Sequence, residues 1–395
     1  MPAKKKAKSK KGSAIHESEF DAMVAEIQKE RGDVLIKATR IPQANHIPTG
    51  SFMLDYALLG GIPEGYASMF YGYESSGKTF MSLKTVAGFQ KKHPSKKVIW
   101  IDAEGMFDKD WALALGCNLD RMYVARPSTG NEAVDLIEAL MSAEETGMVV
   151  LDSIPGCVPQ RVVDKSAEDK TMGELAALMG IMCSKILVSW AVERRRGHFV
   201  TILLINQWRS KLGVMFGDPR TLPGGRQINH LPTTKIDLKN LEIAGKDSFD
   251  SQMMIRNEHS FKITKAKHGR SVREGEFHVS LAAESNGEVE VFDFINQKAI
   301  ITYSKRLGLL TGGAGKYSLS TIPGQTFRTY DLIGDYLNHN KGAMDTTQRL
   351  LISMQRADKG LSDYPEDGYL VGPNVEEETA NRGRRVTKKA RRVCR

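Results

Sequence analysis

The stretch Gly72-Tyr73-Glu74-Ser75-Ser76-Gly77-Lys78-Thr79 sets two glycines, a lysine and a threonine at the spacing that folds a loop around phosphate oxygens. The glycines let main-chain N–H groups turn inward, and the helix opened by the loop adds positive potential at its N-terminus. Lys78 is then placed to reach the β- and γ-phosphates of ATP, and Thr79 to offer its hydroxyl to Mg²⁺. Two apolar runs close on acids. MVVLDS ends on Asp152, which suits ordering the magnesium shell, with Ser153 beside it; VIWIDAEG ends on Asp102 and Glu104. A carboxylate at the latter end can orient and activate an attacking water. A further stretch, INQWRSKLGVMFGDPRTLPGG, leaves a strand at Asn206 and Gln207 and then sets apolar side chains among cations and glycines. Loops are normally polar because water must satisfy their backbone, so this composition needs a reason.

These residues require a scaffold that brings strand ends together. Apolar runs at Ala67–Tyr71, Val98–Asp102, Met122–Ala125, Met148–Asp152 and Phe199–Asn206 alternate with helical stretches near Lys78–Lys92, Lys109–Leu115, Gly130–Glu145 and Met172–Arg194. Continuous apolar strands between helices predict an α/β fold with a mostly parallel sheet covered on both faces, and such sheets bind ligands at their strand carboxyl ends. From Lys235 the runs Thr234–Leu238, Ser260–Lys265, Glu276–Leu281 and Glu288–Phe294 alternate, which predicts an antiparallel extension of the sheet. A helix over Glu17–Arg31 turns Phe20, Met23, Val24 and Ile27 to one face and is followed by an extended run, Val34–Ala38. Past Asn296 a smaller unit begins, helical near Tyr330–Asn340 and Thr346–Ala357; beyond Asp358 the chain turns polar and is expected to be disordered.

The chain has 395 residues, 41% of them apolar, enough for one large core with small satellites. No uninterrupted apolar run approaches 18 residues, which argues against a membrane span, and MPAKKKAKSKKGS lacks the apolar stretch of a secretory signal. The four cysteines show no metal-ligand spacing and fit reduced thiols in the cytoplasm. Of the net charge of +9, fourteen positive charges sit in residues 1–12 and 382–395, leaving the stretch between at about −5. The basicity therefore lies in two tails suited to attracting a polyanion.

Taken together, PTGSFMLDYALLGGIPEG, YGYESSGKT, WIDAEGMFDKDWALALG, VVLDSIPG and INQWRSKLGVMFGDP run in the order and spacing of the bacterial and phage RecA-type recombinases, a resemblance dense from about Ile47 to Phe294 and weak beyond 300. It implies a RecA-like phosphate-loop core (47–295), an N-terminal oligomerisation arm (17–46) behind a basic tail (1–16), a small C-terminal α+β domain (296–357) and a basic tail (358–395). It also implies roles: Glu104 as the catalytic glutamate, Asp108 and Trp111 as adenine contacts, Gln207 as the sensor of the γ-phosphate. Lys265 and Lys267 match the pair that reaches the ATP of a neighbouring protomer. Read alone, those two lysines are an exposed strand edge.

The resemblance also supplies the reason for the apolar loop. Single-stranded DNA is held by cationic and main-chain contacts to phosphate and by apolar groups entering between bases. Arg209 and Lys211 offer charge, Leu212, Val214, Met215 and Phe216 offer wedges, and Gly224 and Gly225 close backbone approach. A second DNA loop falls at about Lys165–Gly173, with Met172 at the inserting position and Gly173 behind it. The family pattern is broken where arginines of the following helix stand as Ala177 and Ser184, around Arg194–Arg196, where that helix is lengthened, and at the C-terminus, which is basic where bacterial members end in acids. The implied activity is a DNA-dependent ATPase that forms helical homo-oligomers on single-stranded DNA and exchanges strands with a homologous duplex, with no membrane partner. The competing expectation is a hexameric helicase on the same core, which would need an arginine finger and a larger N-terminal collar.

Overall fold

The computed structural model describes residues 13–32, 34–41, 44–166, 173–210, 217–246, 254–281 and 291–361. Its centre is an eight-stranded sheet of β1 (Ala67–Gly72), β2 (Lys97–Asp102), β3 (Met122–Ala125), β4 (Thr146–Asp152), β5 (Thr201–Gln207), β6 (Thr234–Lys246), β7 (Met254–Ala266) and β8 (Glu274–Ser280), in the order β8-β7-β6-β1-β5-β4-β2-β3. Every neighbouring pair from β6 through β3 is parallel, and only the β6–β7 and β7–β8 pairs are antiparallel, so β7 alone is reversed. The expected antiparallel extension therefore begins one strand late: β6 joins β1 in parallel, Thr234 opposite Ser68 and Leu238 opposite Gly72. β6 thus has one neighbour of each sense, β1 parallel and β7 antiparallel. Of the fourth expected run, Glu288–Phe294, residues 288–290 lie outside the described residues, and Phe294 makes a single antiparallel bridge to Val279.

The helices relevant to the site are α1 (Ser13–Arg31), α2 (Phe52–Ala57), α3 (Lys78–Lys92), α4 (Lys109–Ala114), α5 (Gly130–Met141), α6 (Glu174–Glu193), α7 (Gly225–His230), α8 (Gln297–Arg306), α9 (Tyr330–His339) and α10 (Lys341–Asp358). Side chains of a strand alternate between its two faces, and β1 shows why the sheet is covered on both. Phe70 joins the cluster that contains Met81, Val86 and Phe89 of α3, whereas Met69 and Tyr71 join the cluster with Val134 and Ile137 of α5 and Met179 and Met182 of α6. A third cluster gathers Ile300, Ile333, Leu337, Leu351 and Ile352 of α8–α10 around Phe52 and Tyr56 of α2.

The helical stretch Glu174–Arg196 is long and apolar enough to cross a membrane by length and composition only, a test that a core helix also passes. Its inner face, Leu178, Met179, Met182, Cys183, Ile186 and Trp190, is buried in the core on that side of the sheet.

The chain divides into a compact unit of residues 44–190 and 199–369 and a second set made of the N-terminal segment, residues 191–198 and the C-terminal tail. In the second set α1 leads into a turn tied by Gln28 Nε2 donating to Leu35 O at 2.6 Å, and Val34, Leu35 and Ile36 are exposed.

Candidate functional site

The strand ends meet as the parallel topology requires. Gly72 and Gln207 face each other across β1 and β5, and Asp102 faces Asp152 across β2 and β4. Residues 74–79, Asp102, Glu104, Trp111, Asp152 and Gln207 line one cavity of about 430 Å³, a size suited to a nucleotide. Gly72 must be glycine for a steric reason: a Cβ there would stand 2.3 Å from Leu238 O and 2.5 Å from Ser76 Oγ. Gly77, at φ +88°, caps α3 in the left-handed region that a side chain would strain.

Lys78 is buried, its Nζ donating to Tyr73 O at 2.6 Å. Burial holds its ammonium below the usual lysine range, against the opposing pull of Asp152, Glu104 and Glu74. Thr79 Oγ1 donates to Asp152 Oδ2 at 3.2 Å. Burial, with the nearby Glu104 charge, pushes the Asp152 carboxyl from 3.8 up to about 6.

A cation between these two groups would relieve that cost. Mg²⁺ keeps several waters and typically takes one or two carboxylates plus substrate phosphates. The Thr79 and Asp152 oxygens fit such an ion, and no group of three or more His, Cys, Asp or Glu with metal-binding geometry occurs among the described residues.

The two acids at the end of β2 divide their work in a way the sequence left open. Asp102 is 3% exposed and is consumed by the turn: Met106 N and Phe107 N donate to it at 2.9 and 3.0 Å, and Arg126 Nε at 3.3 Å. Glu104 is exposed to the cavity, held by a hydrogen bond from Ser153 Oγ, and Gly156 leaves it room, since a Cβ there would lie 2.9 Å from Glu104 Cγ. Asp102 braces; Glu104 is left facing the substrate space.

Trp111 forms an aromatic wall with Phe292, their centroids 4.5 Å apart and edge-to-face. Asp108 is exposed and does not line the cavity; its Oδ1 caps α4 by accepting from Asp110 N and Trp111 N at 2.8 and 3.0 Å. Tyr73 is also outside the lining, half exposed at the rim of the loop.

Gln207 leads directly into a two-stranded ribbon, Arg209–Ser210 paired with Arg220–Thr221. Trp208 ties the ribbon to the sheet: its N–H reaches Gly72 O at 3.1 Å, its Nε1 reaches Asp237 at 3.0 Å, and Arg220 lies over its ring at 4.9 Å. The cavity and the ribbon are thus joined through two consecutive residues. Lys211, Leu212, Val214, Met215 and Phe216, which follow Ser210 in the chain, and Met172 lie outside the described residues. Gly173 has φ +88° with open space around it. Gly224 and Gly225 also have positive φ, and a Cβ at Gly225 would lie 2.7 Å from Ala176, so these glycines let α7 start against α6.

Lys265 and Lys267 do not line the cavity. Lys265 Nζ donates to His230 O at 2.6 Å, and burial with repulsion from Lys267 lowers its pKa; Lys267 is exposed. The lining also takes in eight residues that the sequence expectations did not single out: Phe80, Met106, Ile205, Asn257, His259, Val279, Leu281 and Phe292. Phe80 and Met106 adjoin the Thr79 and Glu104 motifs in the chain, whereas Asn257, His259, Val279 and Leu281 come to the cavity from the far strands of the sheet and Phe292 from a loop.

The raised Asp152 pKa carries an expectation. An acid with a folded-state pKa above its unfolded value of about 4 loses folding stability as pH rises from about 4 to about 6, and the cost is complete above that. Nucleotide-free Asp152→Asn should therefore be more stable than wild type at pH 8 by about 1–3 kcal/mol, converging with it near pH 4, while losing hydrolysis. Thermal melts across that range decide; a variant less stable at pH 8 would contradict the placement.

The RecA N-terminal domain family matches residues 18–284. Among curated proteins, Protein RecA of Leptospira meyeri is 33% identical over 279 residues, 69% of each chain. Protein RecA of Oceanobacillus iheyensis is 32% identical over 291 residues, 72% of this chain and 80% of its own. Protein RecA of Streptomyces coelicolor is 33% identical over 267 residues, 67% of this chain and 68% of its own.

Proposed function

Since the chain belongs to the RecA family, and is in general terms an ATP-hydrolysing recombinase of DNA recombination and repair, we propose that it assembles in the cytoplasm as a helical filament on single-stranded DNA, pairs it with a homologous duplex and exchanges strands. The observation that carries this reading is the convergence of the phosphate loop, Thr79–Asp152, Glu104 and Gln207 in one cavity, with Gln207 continuous with the Arg209–Thr221 ribbon. Residues 47–295 form the ATPase core in this reading, 17–46 the oligomerisation arm and 296–357 a small C-terminal domain.

Main-chain N–H groups of the loop and Lys78 hold the triphosphate, with Thr79 and Asp152 holding Mg²⁺, which offsets phosphate charge. Trp111 supplies a face for the adenine, while Asp108 orients α4 beneath it. Glu104, aligned by Ser153, takes the proton from the attacking water. Gln207 reads the γ-phosphate and, through Trp208, sets the ribbon whose Arg209, Lys211, Leu212, Val214, Met215 and Phe216 meet the DNA beside Met172 and Gly173. The exposed Lys267, with Lys265, reaches the ATP of the adjacent protomer. The basic tails add weak attraction for duplex DNA.

Self-association has a physical basis in the sheet. β3 is an edge strand, hydrogen-bonded only to β2 among the described strands, with Tyr123 and Val124 exposed. Open edges accept a further strand, and the exposed Val34-Leu35-Ile36 of another copy suits that role.

Electron microscopy with single-stranded DNA and a non-hydrolysable ATP analogue tests the assembly. Helical filaments are expected; closed six-membered rings would replace this reading with a helicase.

A further inference from the structure

Each of the two segments read as DNA loops runs into a helix, and the two helices lock together. α6 starts at Glu174, directly after the Lys165–Gly173 segment, whose foot is closed by Lys165 Nζ at 3.0 Å from Glu174 Oε1. α7 starts at Gly225, behind the return leg of the ribbon, and Asn206 Nδ2 holds that leg by donating to Pro223 O at 3.1 Å. Asn229 of α7 adds a second tie, its Nδ2 donating to Gly225 O at 2.7 Å and to Leu222 O at 3.4 Å. Each helix is thereby fixed to the foot of its loop.

The first turns of α6 and α7 approach closely at three points. A Cβ on Gly225 would lie 2.7 Å from Ala176 Cβ, one on Gly224 3.2 Å from Met179 Cγ, and one on Gly180 2.3 Å from Gln227 Oε1. Ile228, fully buried, pins α7 into the core beside Met179 and Met182. Gly180 differs from the other two glycines. It lies inside a 20-residue helix and outside the left-handed region, so its backbone does not call for glycine. Glycine is less favourable than alanine in a helix interior. What calls for it is the Gln227 carboxamide, which fills the space of a side chain there.

Spacing between the helices matters because the two loops would hold one strand. Two weak contacts on the same ligand, once joined, bind about 10²–10⁴-fold more tightly than either alone, and the gain is lost when geometry prevents both from engaging. The loops leave neighbouring strands, β4 and β5. The sheet thus fixes where they begin, and the α6–α7 joint fixes where they end.

We infer that Gly180 and Gln227 are positioning residues for DNA binding: the carboxamide seated on the glycine sets the spacing of α6 and α7, and through them the register of the two loops on one single strand. The inference rests on the reading of both loops as DNA-binding and adds to it what holds them in step.

The test uses the full chain, a labelled single-stranded oligonucleotide and a non-hydrolysable ATP analogue. Gly180→Leu puts a branched side chain where the carboxamide sits, and should weaken single-strand binding by about tenfold or more, within the loss that broken bivalency allows. ATP binding without DNA should be unchanged, since neither residue lines the cavity. DNA-stimulated hydrolysis should need more DNA while keeping its maximal rate, a split that loss of folded protein would not give. Adding Gln227→Ala to the same chain should restore most of the affinity by emptying the space. Gln227 is exposed, so Gln227→Trp adds bulk from the other side without entering the core, and should reproduce the defect even where Gly180→Leu fails to fold. Wild-type affinity in the bulky variants that fold overturns the inference, as does a Gly180→Leu defect that Gln227→Ala leaves untouched. Absence of single-strand binding by wild type would overturn the DNA reading of the loops instead.

Discussion

Glu104→Gln is expected to lower DNA-stimulated ATP hydrolysis by about 10²–10⁴-fold, the usual contribution of a positioned general base, while leaving ATP binding within a few-fold of wild type. Glutamine keeps an oxygen able to accept the Ser153 hydrogen bond, so the side chain can stay in place while losing the capacity to take a proton. Asp102 cannot substitute, since its oxygens already accept from Met106 N, Phe107 N and Arg126 Nε. Steady-state hydrolysis with saturating single-stranded DNA, set beside equilibrium ATP binding, separates chemistry from affinity. Turnover within threefold of wild type would remove Glu104 from the proton transfer and return attention to the other acids of the cavity.

Lys78→Ala should act on the opposite term. ATP affinity should fall at least about 100-fold, because an ammonium facing two phosphates at partial burial makes charge-assisted hydrogen bonds worth about 1.5–3 kcal/mol each. The nucleotide-free fold should lose little. Burial lowers the Lys78 pKa, so the charged form is disfavoured by folding. That cost is present below the lowered folded-state pKa and fades as pH rises through the ordinary lysine range, so at neutral pH removing the amine removes a penalty along with the hydrogen bond to Tyr73 O. Isothermal titration with ATP and a thermal melt without it read the two effects separately. Retained affinity would show that the main-chain N–H groups of the loop hold the triphosphate unaided, whereas a collapsed melting temperature would make Lys78 a structural element first.

The amino-acid sequence alone determined whatever depends on near neighbours along the chain. The Gly72–Thr79 loop is legible because phosphate binding needs glycine conformations, a lysine and a hydroxyl at fixed offsets within one turn of backbone, and the family match over residues 18–284 follows from several such stretches in order. Parallel strands were legible in continuous apolar runs, since both faces of the sheet are covered. Tertiary structure decided what depends on partners far apart in the chain. Whether Asp102 or Glu104 faces the substrate turned on which main-chain N–H groups of the following turn claimed a carboxylate. Asp108 proved to be a helix cap outside the cavity, a matter of where α4 starts. β6 proved parallel to β1 because strand sense is set by the neighbour, and the Thr234–Leu238 alternation is the same for either sense. His259 enters the cavity wall only because β7 lays it beside Gly77, some 180 residues earlier in the chain, and Asn257 joins it from the same strand. Side-chain type fixes what a residue can do; pairing and packing fix what it is placed against.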